Sequence, residues 1–257
     1  VFVSADLLNP IGVPGGLHLR CFQEKERSMN SREREKGKGI AALVIDMQGD
    51  FTQFAAGSLA VPGTGKNYID EVEAAARLLK TAGFLVFGSQ DWHPPDHVSF
   101  FTSHKGKKAG DTVEVDGRRQ MLWPPHCVQA TEKAAILIDN GLFHEIVKKG
   151  ADSRFDSYSA FQDEGGNETA LESLLRSKKV EKIVIFGVAI DYCVKYTALD
   201  GRKRGFSTIV IESLSRGIAS DTAAAAIEEM KSAGVVIMKQ LDLSQIEKNK
   251  VEKGIII

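Results

Sequence analysis

Asp91-Trp92-His93 sets a carboxylate and an imidazole two residues apart, at the end of the strand-like run "FLVFGSQDWH". Side chains at i and i+2 of an extended chain face the same way. Asp91 and His93 could therefore grip one cation, with His126 of Pro124-Pro125-His126 as a third ligand. One carboxylate and two imidazoles suit Zn²⁺, Mn²⁺ or Fe²⁺ and leave positions open for water or substrate. His97 could be a fourth ligand or a partner that supports one. The same residues would also read as an ordinary polar loop. Cys193 ends "KIVIFGVAIDYC", a buried strand, a glycine-containing turn and the start of a helix. A helix N-terminus favours the thiolate and lowers its pKa, and the N–H groups of that turn could hold a developing oxyanion. An inert buried cysteine is the other reading of this segment. Asp46, after "AALVI", could accept the thiol proton, and Lys149, at the end of "EIVKK", could hold that carboxylate ionised. A helix cap and a solvated lysine are their plainer readings, and Lys148 is an adjacent choice. An acid, a lysine, a thiol and a ligand set in one crevice would suit covalent catalysis.

These residues are spread from 46 to 193, so strands must bring them together. Short, Val/Ile-rich runs apolar on both faces lie near 40–46, 84–90, 143–148, 181–187, 207–211 and 235–238 and suit a buried parallel sheet. Helix-like stretches separate them at 66–82, 129–139, 167–178, 191–204 and 221–233. The first stops at Gly83, Asn167 reads as a cap of the third, and Ser220 or Asp221 as a cap of the last. The alternation predicts an α/β fold with right-handed βαβ crossovers in one mostly parallel, six-stranded sheet. In such a sheet the carboxyl ends of the strands line one crevice, where each candidate residue falls. Residues 91–128, with several Pro, Gly and His, break the rhythm and read as a long functional loop with local structure of its own.

The 257 residues carry a formal charge of −1, with 43% apolar and 26% charged residues. That composition suits a globular chain with a core and leaves no electrostatic footprint for nucleic acid. No run is long enough to span a membrane. Cys21, Cys127 and Cys193 are widely spaced and form no CxxC pair, which points to free thiols and a cytoplasmic, reducing compartment. Residues 1–38 read as a flexible leader, within which Met29 is a candidate start, 39–240 as the folded domain and 241–257 as a tail. "GTGKN" near residue 65 lacks the spacing of a phosphate loop, and "GVAID" lacks that of a dinucleotide turn.

Five segments taken in order, "ALVIDMQGDF", "SQDWHPPDHVSF", "LWPPHCV", "VKKGADSRFDSYSAF" and "FGVAIDYCV", resemble the nicotinamidases of the isochorismatase-like cysteine hydrolases over roughly residues 40–238. The resemblance implies a three-layer doubly wound fold and hydrolysis of nicotinamide to nicotinic acid and ammonia through a cysteine thioester, within NAD salvage. It implies a triad of Asp46, Lys149 and Cys193, with Lys149 chosen because it precedes Gly150. It implies metal ligands Asp91, His93 and His126, with Zn²⁺ the first expectation, and some relatives use a histidine at the place of His97. Phe51, Trp123 and Tyr158 match the aromatic pocket, and a cis peptide would join Val188 to Ala189, whose N–H would face the oxyanion with that of Cys193. Nicotinamide is the expected small-molecule partner, pyrazinamide a close analogue, and a homo-oligomer is open. An amidohydrolase for a different small amide and a non-catalytic metal-binding member of the fold are the alternatives.

Overall fold

The computed structural model describes residues 37–248; the expected leader up to residue 36, with Met29, and the expected tail from 249 lie outside the described residues. Six strands form one sheet: β1 (Ile40–Ile45), β2 (Leu85–Asp91), β5 (Glu145–Lys149), β6 (Lys182–Val188), β7 (Ser207–Arg216) and β8 (Val236–Met238). Their order is β5-β2-β1-β6-β7-β8, and every neighbouring pair is parallel. Among the described residues five α-helices accompany them: α1 (Lys66–Thr81), α2 (Leu171–Ser177), α3 (Cys193–Lys203), α4 (Ser220–Ser232) and α5 (Leu243–Lys248).

Alternation along β1 divides the core. Ala42 and Val44 join Val72, Ala76 and Leu79 of α1 and Ile246 of α5 on one face. Ala41, Leu43 and Ile45 join Leu171 and Leu175 of α2, Val194 and Ala198 of α3 and Met230 of α4 on the other. Both faces of β1 are buried throughout, which accounts for its unbroken apolar run. The helix after β1 thus covers one face and the helix after β6 the other, so the crossovers reverse between these neighbouring strands and open a crevice at their carboxyl ends.

Several expectations need correction. The stretch 129–139 is not an α-helix; it holds only a 3₁₀ turn, Glu132–Ala134. Its backbone is engaged elsewhere: Gly49 N–H donates to the Ala135 carbonyl, Leu137 N–H to the Met47 carbonyl, and the side chains of Gln48 and Gln90 both donate to the Ala134 carbonyl. Asn167 caps nothing; α2 begins at Leu171, and the Asn167 amide bonds Asp163. Neither Ser220 nor Asp221 caps α4. Asp191 instead braces the chain just before the helix, accepting from the N–H groups of Ile218 and Ala219 and from the Thr222 hydroxyl. The start of the expected tail is helical, with Ile246 fully buried and its carbonyl bonded to Lys182 Nζ. The long loop does have the local structure expected of it, an antiparallel hairpin of β3 (Thr112–Val115) and β4 (Arg118–Met121).

Candidate active site

Four adjacent strands deliver the central residues. Lys149 ends β5, Asp91 ends β2, Asp46 follows β1, and Cys193 opens α3 after β6. Asp91 and Lys149 are register partners on neighbouring parallel strands, so their side chains emerge side by side on one face. Lys149 Nζ donates to Asp91 Oδ1 in a short ion pair. It lies 3.0 Å from Asp46 Oδ2 and 3.5 Å from Cys193 Sγ, and donates to the Ser157 carbonyl at 2.8 Å. A carboxylate oxygen from each of Asp46 and Asp91 and the Cys193 sulfur lie within 4.8 Å of one another. Lys148 points elsewhere, its ammonium 3.7 Å above the Trp92 ring.

Burial dominates the electrostatics. Desolvation raises the Asp46 carboxyl above its ordinary range, although Lys149 opposes it. Burial also pushes the Cys193 thiol well up, against Lys149 and with help from Asp46 and Asp91. The shift runs opposite to that expected from a helix N-terminus alone, because desolvation and two neighbouring acids outweigh the Lys149 ammonium. Burial would lower Lys149, but Asp46 and Asp91 together hold it well above its ordinary value. Burial would raise Asp91, yet Lys149 and then His93 pull it below the usual carboxylate range.

Three ligand atoms meet beside this group. His93 Nδ1 bonds the Gly150 carbonyl at 2.9 Å and His126 Nδ1 the Pro124 carbonyl at 2.7 Å. Each bond fixes the proton on Nδ1 and leaves the Nε2 lone pair free. Those Nε2 atoms stand 3.4 and 3.8 Å from Asp91 Oδ2, and His93 Nε2 is buried with no hydrogen-bond partner among the described residues. Two buried carboxylates face one ammonium here, so a cation at the Nε2 pair would offset the remaining negative charge. The three residues fit a divalent metal. His97 is committed otherwise: Nδ1 is 2.7 Å from Ser99 Oγ and Nε2 3.0 Å from the Phe155 carbonyl, while its ring packs 4.1 Å from that of His93. It supports His93 instead of reaching the ligand atoms of Asp91 and His126.

One cavity is lined by Phe51, Trp123, Tyr158, Ala189 and Cys193 together with Asp91 and His126. Trp123 Nε1 donates to the Tyr158 hydroxyl at 3.0 Å, which steadies both rings. The Val188–Ala189 peptide is cis, and the N–H groups of Ala189 and Cys193 have no hydrogen-bond partner among the described residues. Sequence reading missed Ser89, whose hydroxyl donates to Asp46 Oδ1 at 2.6 Å. Its place two residues before Asp91, on the same side of an extended strand, was the available signal. It also missed Leu59, Val61, Asp156, Ser157, Tyr192 and Ile218, which complete the cavity wall.

The sequence profile of the isochorismatase domain matches residues 41–241. Nicotinamidase from Escherichia coli is 36% identical over 212 residues, covering 80% of this chain and 98% of its own length. The L. infantum protein PnC1, solved in complex with nicotinate, superposes with a TM-score of 0.68 at 34% identity, covering 79% of this chain and 93% of that one. A pyrazinamidase of Pyrococcus horikoshii, solved in complex with zinc, gives a TM-score of 0.66 at 35% identity and coverages of 79% and 99%.

Proposed function

The chain belongs to the isochorismatase family, and from that premise we propose that it is an amidohydrolase that converts nicotinamide to nicotinic acid and ammonia, a step of NAD salvage. The observation that carries this reading is the convergence of Asp46, Lys149 and Cys193 beside Asp91, His93 and His126 in one aromatic-walled cavity.

Asp46 takes the proton of the Cys193 thiol, which burial otherwise retains. The sulfur forms a bond to the carboxamide carbon, and the carbonyl electrons move to oxygen. The Ala189 and Cys193 N–H groups receive that oxyanion, each such donor being worth about 3 kcal/mol in comparable sites. Asp46 returns the proton to nitrogen, the C–N bond breaks, and ammonia leaves a thioester. Water, giving a proton to Asp46, then adds to the thioester carbon; the C–S bond breaks, the sulfur recovers a proton and nicotinic acid departs. Lys149 stays charged throughout and orients the two carboxylates. Asp91, His93 and His126 would hold a divalent ion, Zn²⁺ in the first instance, which when bound would supply a Lewis-acid contact for the pyridine nitrogen. Phe51, Trp123 and Tyr158 flank the ring, so that the amide is held near the sulfur.

We read 39–240 as the hydrolase unit, acting in the cytoplasm on a small molecule without nucleic acid or membrane. No helix of the described residues is long and apolar enough to cross a bilayer. The test is direct: the metal-loaded protein with nicotinamide should release ammonia and nicotinic acid in equal amounts. Absence of both products across a range of divalent ions would overturn the assignment.

A further inference from the structure

Two side chains outside the reacting group tie the ligand set to the segment that carries Asp46. Gln48 is fully buried, with Oε1 accepting from the Asp91 N–H at 2.8 Å and Nε2 donating to the Asp91 carbonyl at 2.8 Å. Both main-chain groups of Asp91 are thus clamped by one amide. The same Nε2 reaches the Ala134 carbonyl at 2.8 Å, which fixes the amide's own orientation. Two residues on, Asp50 is buried and its Oδ2 accepts from the Cys127 N–H at 2.7 Å. Cys127 follows His126 directly and sits in the left-handed region at φ 47°, a conformation that needs support in a non-glycine residue. Asp50 Oδ1 takes the Ser58 N–H at 3.2 Å, and the Ser58 hydroxyl lies 2.7 Å from the Pro125 carbonyl. The residues on both sides of His126 are therefore braced from residues 50 and 58.

We infer that Gln48 and Asp50 are positioning residues that set the spacing between the Asp91 and His126 ligand atoms. The short segment 46–50 then carries the proton acceptor and holds two of the three ligands, from strands and loops 43 and 77 residues away. Neither side chain touches the cavity lined by the reacting residues, and both act through main-chain groups of their targets. The inference rests on the reading of Asp91, His93 and His126 as a metal site.

The experiment measures Zn²⁺ affinity of the full-length chain by competition with a chromophoric chelator, alongside the visible absorption of the Co²⁺-substituted protein and the thermal midpoint of the metal-free form. His126→Ala is the benchmark; wild-type affinity in that variant would sink the ligand reading and leave the positioning claim without a site. Asp50→Ala and Gln48→Ala should each weaken Zn²⁺ by about 10- to 100-fold, the range seen when groups supporting metal ligands are removed. Their Co²⁺ bands should shift, and KM should rise more than kcat falls. Asp50→Asn preserves volume but offers one acceptor where two N–H groups need one, so it should fall between wild type and alanine; it decides the matter if Asp50→Ala does not fold. Zn²⁺ affinity within twofold of wild type, with unshifted Co²⁺ bands, in folded Gln48→Ala and in folded Asp50→Ala or Asp50→Asn overturns the inference.

Discussion

Burial raises both the Asp46 carboxyl and the Cys193 thiol above their ordinary values, with Lys149 opposing each rise, and in the proposed mechanism Asp46 takes the thiol proton. Only ionised Asp46 can accept that proton. The acid limb of kcat/KM should accordingly lie at a pH above 3.8, the ordinary carboxyl value; a limb at or below it would contradict the desolvated base. Cys193→Ala should abolish ammonia release while Zn²⁺ still binds, as read by turnover and metal content together. Lys149 carries the opposite linkage. Its folded value is raised, so the stability it contributes is full below its unfolded value near 10.5 and is lost as pH climbs through the folded value. Removing it leaves two acids buried and unpaired, so Lys149→Ala should cost about 3–5 kcal/mol in denaturant unfolding of the metal-free chain. At this scale the convergence of Asp46, Asp91, Lys149 and Cys193 was legible because each closes or follows a distinctive strand-like segment. Ser89, Gln48 and Asp50 were not, because their work is done by hydrogen bonds spanning 43 to 77 residues that spacing alone does not reveal.

Among the elements, the turn after β5 shows how little room the site has. Gly150 has φ 65°, and a Cβ there would lie 2.3 Å from His93 Cε1. Its carbonyl is also the acceptor that orients His93. Gly150→Ala should thus push the imidazole aside, and Zn²⁺ titration should show weakened binding in a protein whose circular dichroism is unchanged. Gly187 constrains the sheet in the same way, with φ 128° and a would-be Cβ 2.2 Å from the Ile45 carbonyl. The central strands were readable because both faces of the sheet are covered there, which writes an apolar run into β1 and most of β6. In the stretch 129–139 the carbonyls of Ala134 and Ala135 serve the 48–49 segment and Gln90, and tertiary bonds override local helix preference there. β7 runs to Arg216, five residues past the expected end, because its far part pairs with Gly187 and Val188 after a register shift.

For the molecule as a whole, placing the reversal of crossovers between β1 and β6 puts the candidate site over the most deeply buried strands. Alternation of apolar segments was enough to foresee that sheet and the end of it where the candidate residues gather. The contribution of α5 was not foreseeable, since a six-residue helix with one inward side chain leaves hardly any periodic signal. Ile246 nevertheless has no exposed surface and packs in the same cluster as α1 and β1. Ile246→Ala should cost about 2–5 kcal/mol in chemical denaturation, while turnover at low temperature should stay near wild type, because Ile246 meets Lys182 at the amino end of β6 and the candidate site lies at the carboxyl ends of the strands.

Lys149 has a side chain with no exposed surface, enclosed by two acids, a sulfur and a carbonyl. Amine-selective acylating reagents should therefore modify outward-facing lysines such as Lys66 and leave this one intact. Peptide mapping by mass spectrometry after a timed pulse would turn its tagging into a clock for opening of the whole centre, readable without substrate, metal or turnover.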